Sequence, residues 1–325
     1  MRIAVIGSGA WGTTMAIHLA ETGHDVVLWA RDAERAAHMQ ECRENERYLK
    51  SFRFPDRMTV TAGDVGTAEI IVGGVPTQYM RDVFGGMRDT LVRAPFVSLS
   101  KGIELKTGLL PTQIYNEVMG AEVPTAVLTG PCIAREVALH EPTAVVVAGD
   151  EATMLQRAFN SPTFRVYTSV DRVGAELGAA LKNIMGIAAG IIDGMELGDN
   201  TKATLLTRGI VEISRLGVQL GAQISTFNGL AGFGDLFTTC VSPHGRNRGL
   251  GERIGRGDSL ETILSEMNSV AEGVPTTKAV LELAKKHGCE MPITEALYAT
   301  LFEGVPASDS IRRLMTRDPR TEAGR

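Results

Sequence analysis

The sequence predicts a doubly wound α/β domain with a mostly parallel sheet, followed by an all-α domain. Short apolar runs rich in β-branched residues alternate with helical stretches through the first half of the chain, as expected of strands covered on both faces. A glycine-rich turn joins the first of these runs to a helix. After about residue 174 the apolar residues recur at helical spacing, and no further strand is predicted.

The strands of the first domain are predicted from eight short runs that alternate with helical stretches. They are Arg2–Ile6, Asp25–Trp29, Met58–Thr61, Ile70–Val75, Phe96–Ser100, Thr125–Leu128, Thr143–Val147 and Phe164–Tyr167. The last two lie close together after Pro142 and are candidates for an antiparallel extension of the sheet.

The second half contains helices with recognisable ends. Gly288 and Gly304 stand where C-terminal caps belong, and Pro292 suits a first helical turn. A chain of 325 residues suggests two domains at roughly 150 residues each. We therefore expect a dinucleotide-binding domain at residues 1–178 and a helical substrate and catalytic domain at residues 179–325.

Composition narrows the class of protein. The net charge is −5 without a long basic block, which argues against nucleic acid as a partner. The four cysteines show no metal-ligand spacing, so we expect free thiols in a reducing compartment and no metal. The N-terminus opens on a strand, and no apolar run approaches the roughly 18 residues of a membrane span. These features predict a cytoplasmic protein.

The first strand, turn and helix form a nucleotide-binding pattern. Gly7, Gly9 and Gly12 make a GxGxxG between the strand and the helix. There the first glycine permits a tight turn, the second lets the backbone approach a pyrophosphate, and the third lets helix and strand pack closely. A purely structural turn is the alternative. The predicted class is an α/β N-terminal Rossmann-like doubly wound domain with a mostly parallel sheet, plus an all-α C-terminal domain.

The end of the second strand bears on the choice between NADH and NADPH. An acid there favours NADH, whereas a nearby arginine can hold the 2′-phosphate of NADPH. Arg31 and Asp32 both follow this strand. We favour NADPH with Arg31 as its ligand, although Arg31 as a solvated surface residue and NADH as cofactor stay open.

Lys182 lies in the middle of an apolar helix, with Gly178 and Gly186 four residues to either side on the same face. Two glycines inside a helix cost about 1 kcal/mol each, which suggests that something approaches that face closely. Burial lowers the pKa of a lysine, so its ammonium can exchange a proton near neutral pH. Asn183 can offer an amide nearby. The alternative is a lysine that reaches solvent beside a tight helix contact.

Seven motifs in a fixed order carry a resemblance to a known family. The chain closely resembles the bacterial NAD(P)-dependent glycerol-3-phosphate dehydrogenases from residue 2 to about residue 316. The motifs are GSGAWGT (7–13), SLSKGIE (98–104), TGPCIAREV (129–137), AALKN (179–183), NGLAGFGDLFTTC (228–240), GRNRGLG (245–251) and VAEGVPTT (270–277). The resemblance implies reversible reduction of dihydroxyacetone phosphate to sn-glycerol 3-phosphate, which supplies glycerophospholipid synthesis.

The resemblance also implies roles for individual residues. Lys182 corresponds to the catalytic lysine, Lys101 to a second lysine at the substrate, and Asp235 to an aspartate beside them. A helix N-cap is the alternative for Asp235. The implied substrate-binding residues are Lys101, Gly130, Cys132, Lys182, Asn183, Asp235, Gly245, Arg246 and Asn247. With the glycine motif, the implied cofactor-binding residues are Gly7, Gly9, Ala10, Trp11, Gly12, Arg31, Tyr48, Lys101, Ala134, Arg246, Val270 and Glu272.

Two departures from the family pattern stand out. The segment 73–81 has two glycines and Thr77-Gln78 where the family usually has a β-branched run and Ser-His. Cys132 stands where the family often has Ser or Thr, and because a thiol bonds weakly we expect any role there to be through backbone.

Two other functions are weighed against this one. A related 3-hydroxyacid dehydrogenase would bind a carboxylate, whereas the GRN and GPC segments favour a phosphate. A non-catalytic NADPH-binding sensor would keep the glycines and lose the lysines, and both lysines are present. A homodimer is a candidate assembly.

Overall fold

The computed structural model describes residues 1–267, 270–319 and 321–322, and its N-terminal half is built on one large sheet. In chain order the strands are β1 (Arg2–Ile6), β2 (Asp25–Trp29), β3 (Glu44–Asn45), β4 (Leu49–Arg53), β5 (Met58–Thr61), β6 (Ile70–Gly73), β7 (Phe96–Ser98), β8 (Thr125–Thr129), β9 (Thr143–Gly149) and β10 (Phe164–Ser169). Every strand predicted from sequence is confirmed, although β6 and β7 end two residues earlier than predicted.

The main sheet has eight strands in the order β10-β9-β8-β7-β6-β1-β2-β5. The pairs from β5 to β8 are parallel, β9 is antiparallel to β8, and β10 is parallel to β9. The predicted mostly parallel sheet is therefore confirmed. The last two strands do run opposite to the others, but they are parallel to each other because a helix crosses over between them.

The helices of this half cover both faces of the sheet. They are α1 (Ala10–Glu21), α2 (Ala33–Cys42), α3 (Met80–Gly86), α4 (Pro111–Met119), α5 (Ala134–Ala138) and α6 (Ala152–Phe159). Ile3 and Val5 of β1 belong to the apolar cluster on one face, whereas Ala4 and Ile6 belong to the cluster on the other. This explains why the strands read as continuous apolar runs.

A short hairpin of β3 and β4 was not among the predicted strands. Half of its residues are charged, and it lacks the alternation of apolar and polar residues that indicates a strand. The Asn45 side chain donates to the carbonyl of Ser8 (2.9 Å) and to Thr13 Oγ1 (2.8 Å), and Leu49 is buried. These contacts hold the hairpin against the glycine-rich turn.

The C-terminal half is helical throughout the described residues, as predicted. Its helices are α7 (Arg172–Gly194), α8 (Asp199–Gln219), α9 (Ile224–Phe227), α10 (Asp235–Val241), α11 (Arg246–Gly255), α12 (Leu260–Glu266), α13 (Gly273–Lys286), α14 (Pro292–Phe302) and α15 (Ala307–Met315). Pro292 is the first residue of α14, and the predicted caps Gly288 and Gly304 have φ of +61° and +70°. Positive φ is the conformation that favours glycine after a helix.

Helix α7 is the centre of the helical half. Its Gly190 faces α11 so closely that a Cβ would overlap the carbonyl oxygen of Arg248, and on α11 a Cβ at Gly251 would overlap that of Ile187. By length and composition α7 could cross a membrane, contrary to the expectation from sequence. However, 94% of its most apolar window is buried inside the protein, as in a core helix.

The first turns of α7 belong to the sheet. Arg172 Nη1 donates to Thr125 Oγ1 on β8 (2.6 Å), and Ala175 packs with Val127 of the same strand. The domain boundary between residues 178 and 179 stays a prediction, and it would fall inside this continuous helix.

Candidate active site

The glycine-rich turn has the geometry of a phosphate-binding loop. Gly7 has φ of +117°, and a Cβ on Gly12 would overlap the carbonyl oxygen of Gly7. A Cβ on Gly9, by contrast, would meet nothing within 4 Å among the described residues. Ala10 then begins α1, whose first turn receives no side-chain cap from Gly9. The backbone N–H groups at this end of α1 therefore face open space that a pyrophosphate can fill.

Four other predicted cofactor residues lie around this turn. Trp11 follows it directly, and its buried Nε1 finds no hydrogen-bond partner within the described part of the chain. Thr14 of α1 donates to the carbonyl of Ala134 (3.1 Å), which brings the start of α5 to the same helix. Tyr48 is on the β3–β4 hairpin, and Arg31 is exposed just after β2. These residues, together with the open space at the start of α1, fit a bound dinucleotide.

Asp235 joins the two predicted catalytic lysines. Lys182 Nζ donates to Asp235 Oδ1 and to Thr239 Oγ1 (2.7 Å), and Lys101 Nζ donates to Asp235 Oδ2 at 2.8 Å. Lys182 is 6% exposed and Asp235 2%. The Asp235 side chain does not cap its helix, and the Lys182 ammonium points inward instead of reaching solvent.

The electrostatics of this trio differ from residue to residue. Burial lowers the pKa of Lys182 to about 8, although Asp235 partly opposes the effect. Burial also acts on Lys101, but its contacts with Asp235 and Cys132 raise its pKa above the ordinary value. The two ammonium groups outweigh burial at Asp235 and hold its pKa below the usual range. Lys182 is thus the group poised to exchange a proton near neutral pH.

The two glycines that flank Lys182 explain how the site forms. A Cβ at Gly178 would overlap the carbonyl oxygen of Ala231, and one at Gly186 would lie 2.8 Å from Thr239 Cγ2 and 3.4 Å from Asn247 Cβ. The glycines therefore allow the segment before α10, α10 itself and the start of α11 to approach the helix that carries the lysine.

The segments that follow β7 and β8 complete the site around Lys182 and Asp235 on the side of the sheet. Lys101 follows β7, and its Nζ also lies 3.3 Å from the Gly130 carbonyl and 3.4 Å from Cys132 Sγ, both after β8. Asn183 Nδ2 donates to the Lys101 carbonyl at 2.9 Å. The sulfur of Cys132 itself makes the contact, beyond the backbone role expected, and burial raises the pKa of this thiol so that it stays neutral.

The predicted phosphate-binding segment begins α11. Gly245 precedes the helix, Arg246 Nη1 donates to the Val270 carbonyl at 3.3 Å, and Asn247 Oδ1 accepts from the Gly273 N–H at 3.1 Å. Glu272, between these two partners, accepts from the Thr77 N–H at 3.0 Å. The segments 245–247 and 270–273 therefore lie together and contact the sheet domain.

Several contacting residues were not predicted from sequence. Thr129 Oγ1 donates to Asp235 at 3.1 Å, and Thr239 binds Lys182. Gln78 holds the loop after Lys101, because its amide donates to the Ile103 carbonyl (2.7 Å) and accepts from Leu105 N–H (3.1 Å). Thr239 could have been found, since it lies four residues after Asp235 on one helix. The others depend on long-range contacts.

Comparisons with known proteins agree with this geometry. The model of the NAD-dependent glycerol-3-phosphate dehydrogenase N-terminus matches residues 2–155, and the model of the C-terminus of the same enzymes matches residues 171–312. Glycerol-3-phosphate dehydrogenase [NAD(P)+] of Chlorobium phaeobacteroides is 47% identical and covers 99% of each chain. The enzyme of Geobacter sp. strain M21 is 46% identical, over 99% of this chain and 98% of its own.

A solved structure extends the comparison to three dimensions. The glycerol-3-phosphate dehydrogenase of Coxiella burnetii superposes with a TM-score of 0.93 at 34% identity, covering 97% of this chain and 99% of its own. Sequence and structure thus agree over both halves of the molecule, and the chain belongs to the NAD-dependent glycerol-3-phosphate dehydrogenase family.

Proposed function

We propose that the chain catalyses the reversible reduction of dihydroxyacetone phosphate to sn-glycerol 3-phosphate with NADPH or NADH, and that the product supplies glycerophospholipid synthesis. The observation that carries the proposal is the buried ammonium of Lys182, which donates hydrogen bonds to Asp235 and Thr239. It lies between the sheet domain, which contains the glycine-rich turn, and the start of α11.

Lys182 supplies the proton of the reaction. The reduced nicotinamide, when bound, supplies the hydride that adds to the carbonyl carbon C2. The N–H of Lys182 hydrogen-bonds the carbonyl oxygen and transfers its proton as negative charge develops there, leaving a neutral amine that solvent reprotonates. Asp235 orients both lysines and balances their charge. In the oxidation the neutral amine takes the proton of the hydroxyl group.

The substrate phosphate is assigned to the start of α11. Gly245 brings the backbone close, the first N–H groups of α11 attract an anion, and the exposed Arg246 offers a guanidinium fork. Lys101, beside Gly130 and Cys132, is assigned to the substrate between the phosphate and C2. This arrangement supports a phosphate over the carboxylate of a 3-hydroxyacid.

The test measures NADPH oxidation with dihydroxyacetone phosphate, unphosphorylated dihydroxyacetone and a 3-oxoacid. Lys182→Ala should lower kcat at least about 10²–10⁴-fold while the Kd for NADPH stays nearly unchanged. Arg246→Ala should slow the phosphorylated ketone far more than the unphosphorylated one, after any change in NADPH affinity is divided out. A Lys182→Ala enzyme with a tenth of the activity would refute the acid–base role, and wild type that prefers the 3-oxoacid would refute the substrate.

We further propose NADPH as the favoured cofactor, with Arg31 near its 2′-phosphate, and a homodimer in the cytoplasm. Four free thiols support a reducing compartment. The net charge of −5 supports a small-molecule substrate and no nucleic-acid partner. Molecular mass in solution tests the dimer.

A further inference from the structure

A second arginine lies one helical turn beyond Arg31. Arg35 is the third residue of α2, and its backbone N–H donates to the Asp32 carboxylate at 2.9 Å. Its guanidinium carbon lies 5.2 Å from the centroid of the Tyr48 ring, and that of Arg47 lies at the same distance from the same ring. The β3–β4 hairpin thus brings two cations to one aromatic ring beside the carboxyl end of β2.

Neither guanidinium of this pair forms an ion pair with a described carboxylate. Arg35 Nη2 is buried without a hydrogen-bond partner, and across residues 1–267, 270–319 and 321–322 no carboxylate lies within 4 Å of either guanidinium. The acids of the hairpin are engaged elsewhere, since Glu44 accepts from a backbone N–H at 2.7 Å and Glu46 lies 3.5 Å from a histidine.

This arrangement is unfavourable in the free protein. A buried guanidinium N–H without a partner loses its hydration without replacement. A cation in the first turn of α2 is also opposed by the helix dipole, and the charge of Arg47 is nearby. An anion bound between the strand end and the hairpin would remove all three costs at once.

The position identifies the anion. In doubly wound folds the pyrophosphate lies at the first helix and the adenosine ribose lies at the end of the second strand. We propose that Arg35, held in place on Tyr48, binds the 2′-phosphate of NADPH and is the main residue that selects NADPH over NADH. The inference rests on the proposed use of these cofactors. Arg31 is exposed, so ordering its side chain costs more and it contributes less than the guanidinium held on Tyr48.

The test measures binding to the free enzyme and needs no turnover. Dissociation constants for NADPH, NADH, adenosine 2′,5′-bisphosphate and AMP are measured by calorimetry with wild type, Arg35→Ala, Arg35→Lys and Arg31→Ala. Arg165→Ala is the matched control, because Arg165 also lies over a tyrosine ring (5.4 Å, Tyr167) but on β10, at the opposite edge of the sheet.

Arg35→Ala should weaken NADPH and the bisphosphate about ten- to a hundredfold and leave NADH and AMP within about twofold. Arg35→Lys should recover part of the loss, Arg31→Ala should lose less, and Arg165→Ala should match wild type. Equal weakening of all four ligands by Arg35→Ala, a larger selective loss in Arg31→Ala, or a wild type that prefers NADH would each overturn the inference. Because binding of the bisphosphate involves no ketone, failure of the proposed reaction would be seen separately.

Discussion

The pKa of Lys182 predicts opposite pH dependences for the two directions of the reaction. With a pKa of about 8, the ammonium required for reduction is lost above that pH, and kcat/KM for dihydroxyacetone phosphate should fall about tenfold per pH unit. The neutral amine required for oxidation is lost below it, so kcat/KM for sn-glycerol 3-phosphate should fall about tenfold per unit toward lower pH. The direction of both pH dependences is tested by rates measured at constant ionic strength. The pH range stays above about 6, where the substrate phosphate completes its last ionisation.

Replacing Asp235 separates Lys182 from other titrating groups. Burial and the charge of Lys101 both lower the pKa of Lys182, whereas Asp235 raises it. Asp235→Asn should therefore move the inflection of both profiles to lower pH by about 1–3 units, the range of a close charge partner. Thr239→Val is the control, because it removes an uncharged partner and should shift the inflection less. Profiles with the same sign in both directions, or an unmoved inflection in Asp235→Asn, would show that another group titrates.

Two further predictions concern stability, measured by urea unfolding. Gly190→Ala should destabilise the protein by about 1–3 kcal/mol, because its Cβ would overlap backbone of α11, whereas Gly249→Ala, which has open space among the described residues, should stabilise it slightly. A loss of less than about 1 kcal/mol in the free energy of unfolding of Gly190→Ala would refute the close contact with α11. Burial raises the pKa of Glu176 from 4.5 to about 7. The contribution of its protonated form to the free energy of unfolding is therefore fully present below pH 4.5 and is lost as pH rises through 7. Relative to Glu176→Gln, wild type should lose about 2–3 kcal/mol between pH 5 and 8.5, and an equal loss in both would contradict this.

The fold was largely predictable because its strands are buried on both faces. Such strands form short apolar runs in the sequence, and in the second half Gly288 and Gly304 follow the ends of α13 and α14. The β3–β4 hairpin was missed because it is held by the side chain of Asn45 on the turn at Ser8, a contact between distant positions. The antiparallel direction of β9 and β10 was anticipated, but their parallel pairing with each other was not, since pairing partners are set by the whole sheet.

The candidate site was predictable where a residue contradicts its surroundings. A lysine between two glycines in an apolar helix suggested a close approach, and Ala231 and Thr239 lie at those glycines. Gln78 stood out only as a departure from the family pattern, and that departure did not indicate which residues it contacts. Its contacts with the backbone of residues 103 and 105 depend on how the loops after β6 and β7 meet beyond the carboxyl ends of these central strands.

The continuity of α7 limits how the molecule can be divided. Asp171 accepts from the Gly174 N–H at 2.9 Å and also from the Gln223 N–H at 2.9 Å, so the residue that caps α7 also secures a loop of the helical half. Glu176, two turns before Lys182, accepts from Thr112 at the start of α4. A fragment that begins at residue 179 would lose the cap and both of these attachments. The two halves are therefore not interchangeable modules, and exchange between relatives must transfer α7 together with the surfaces that it contacts on both sides.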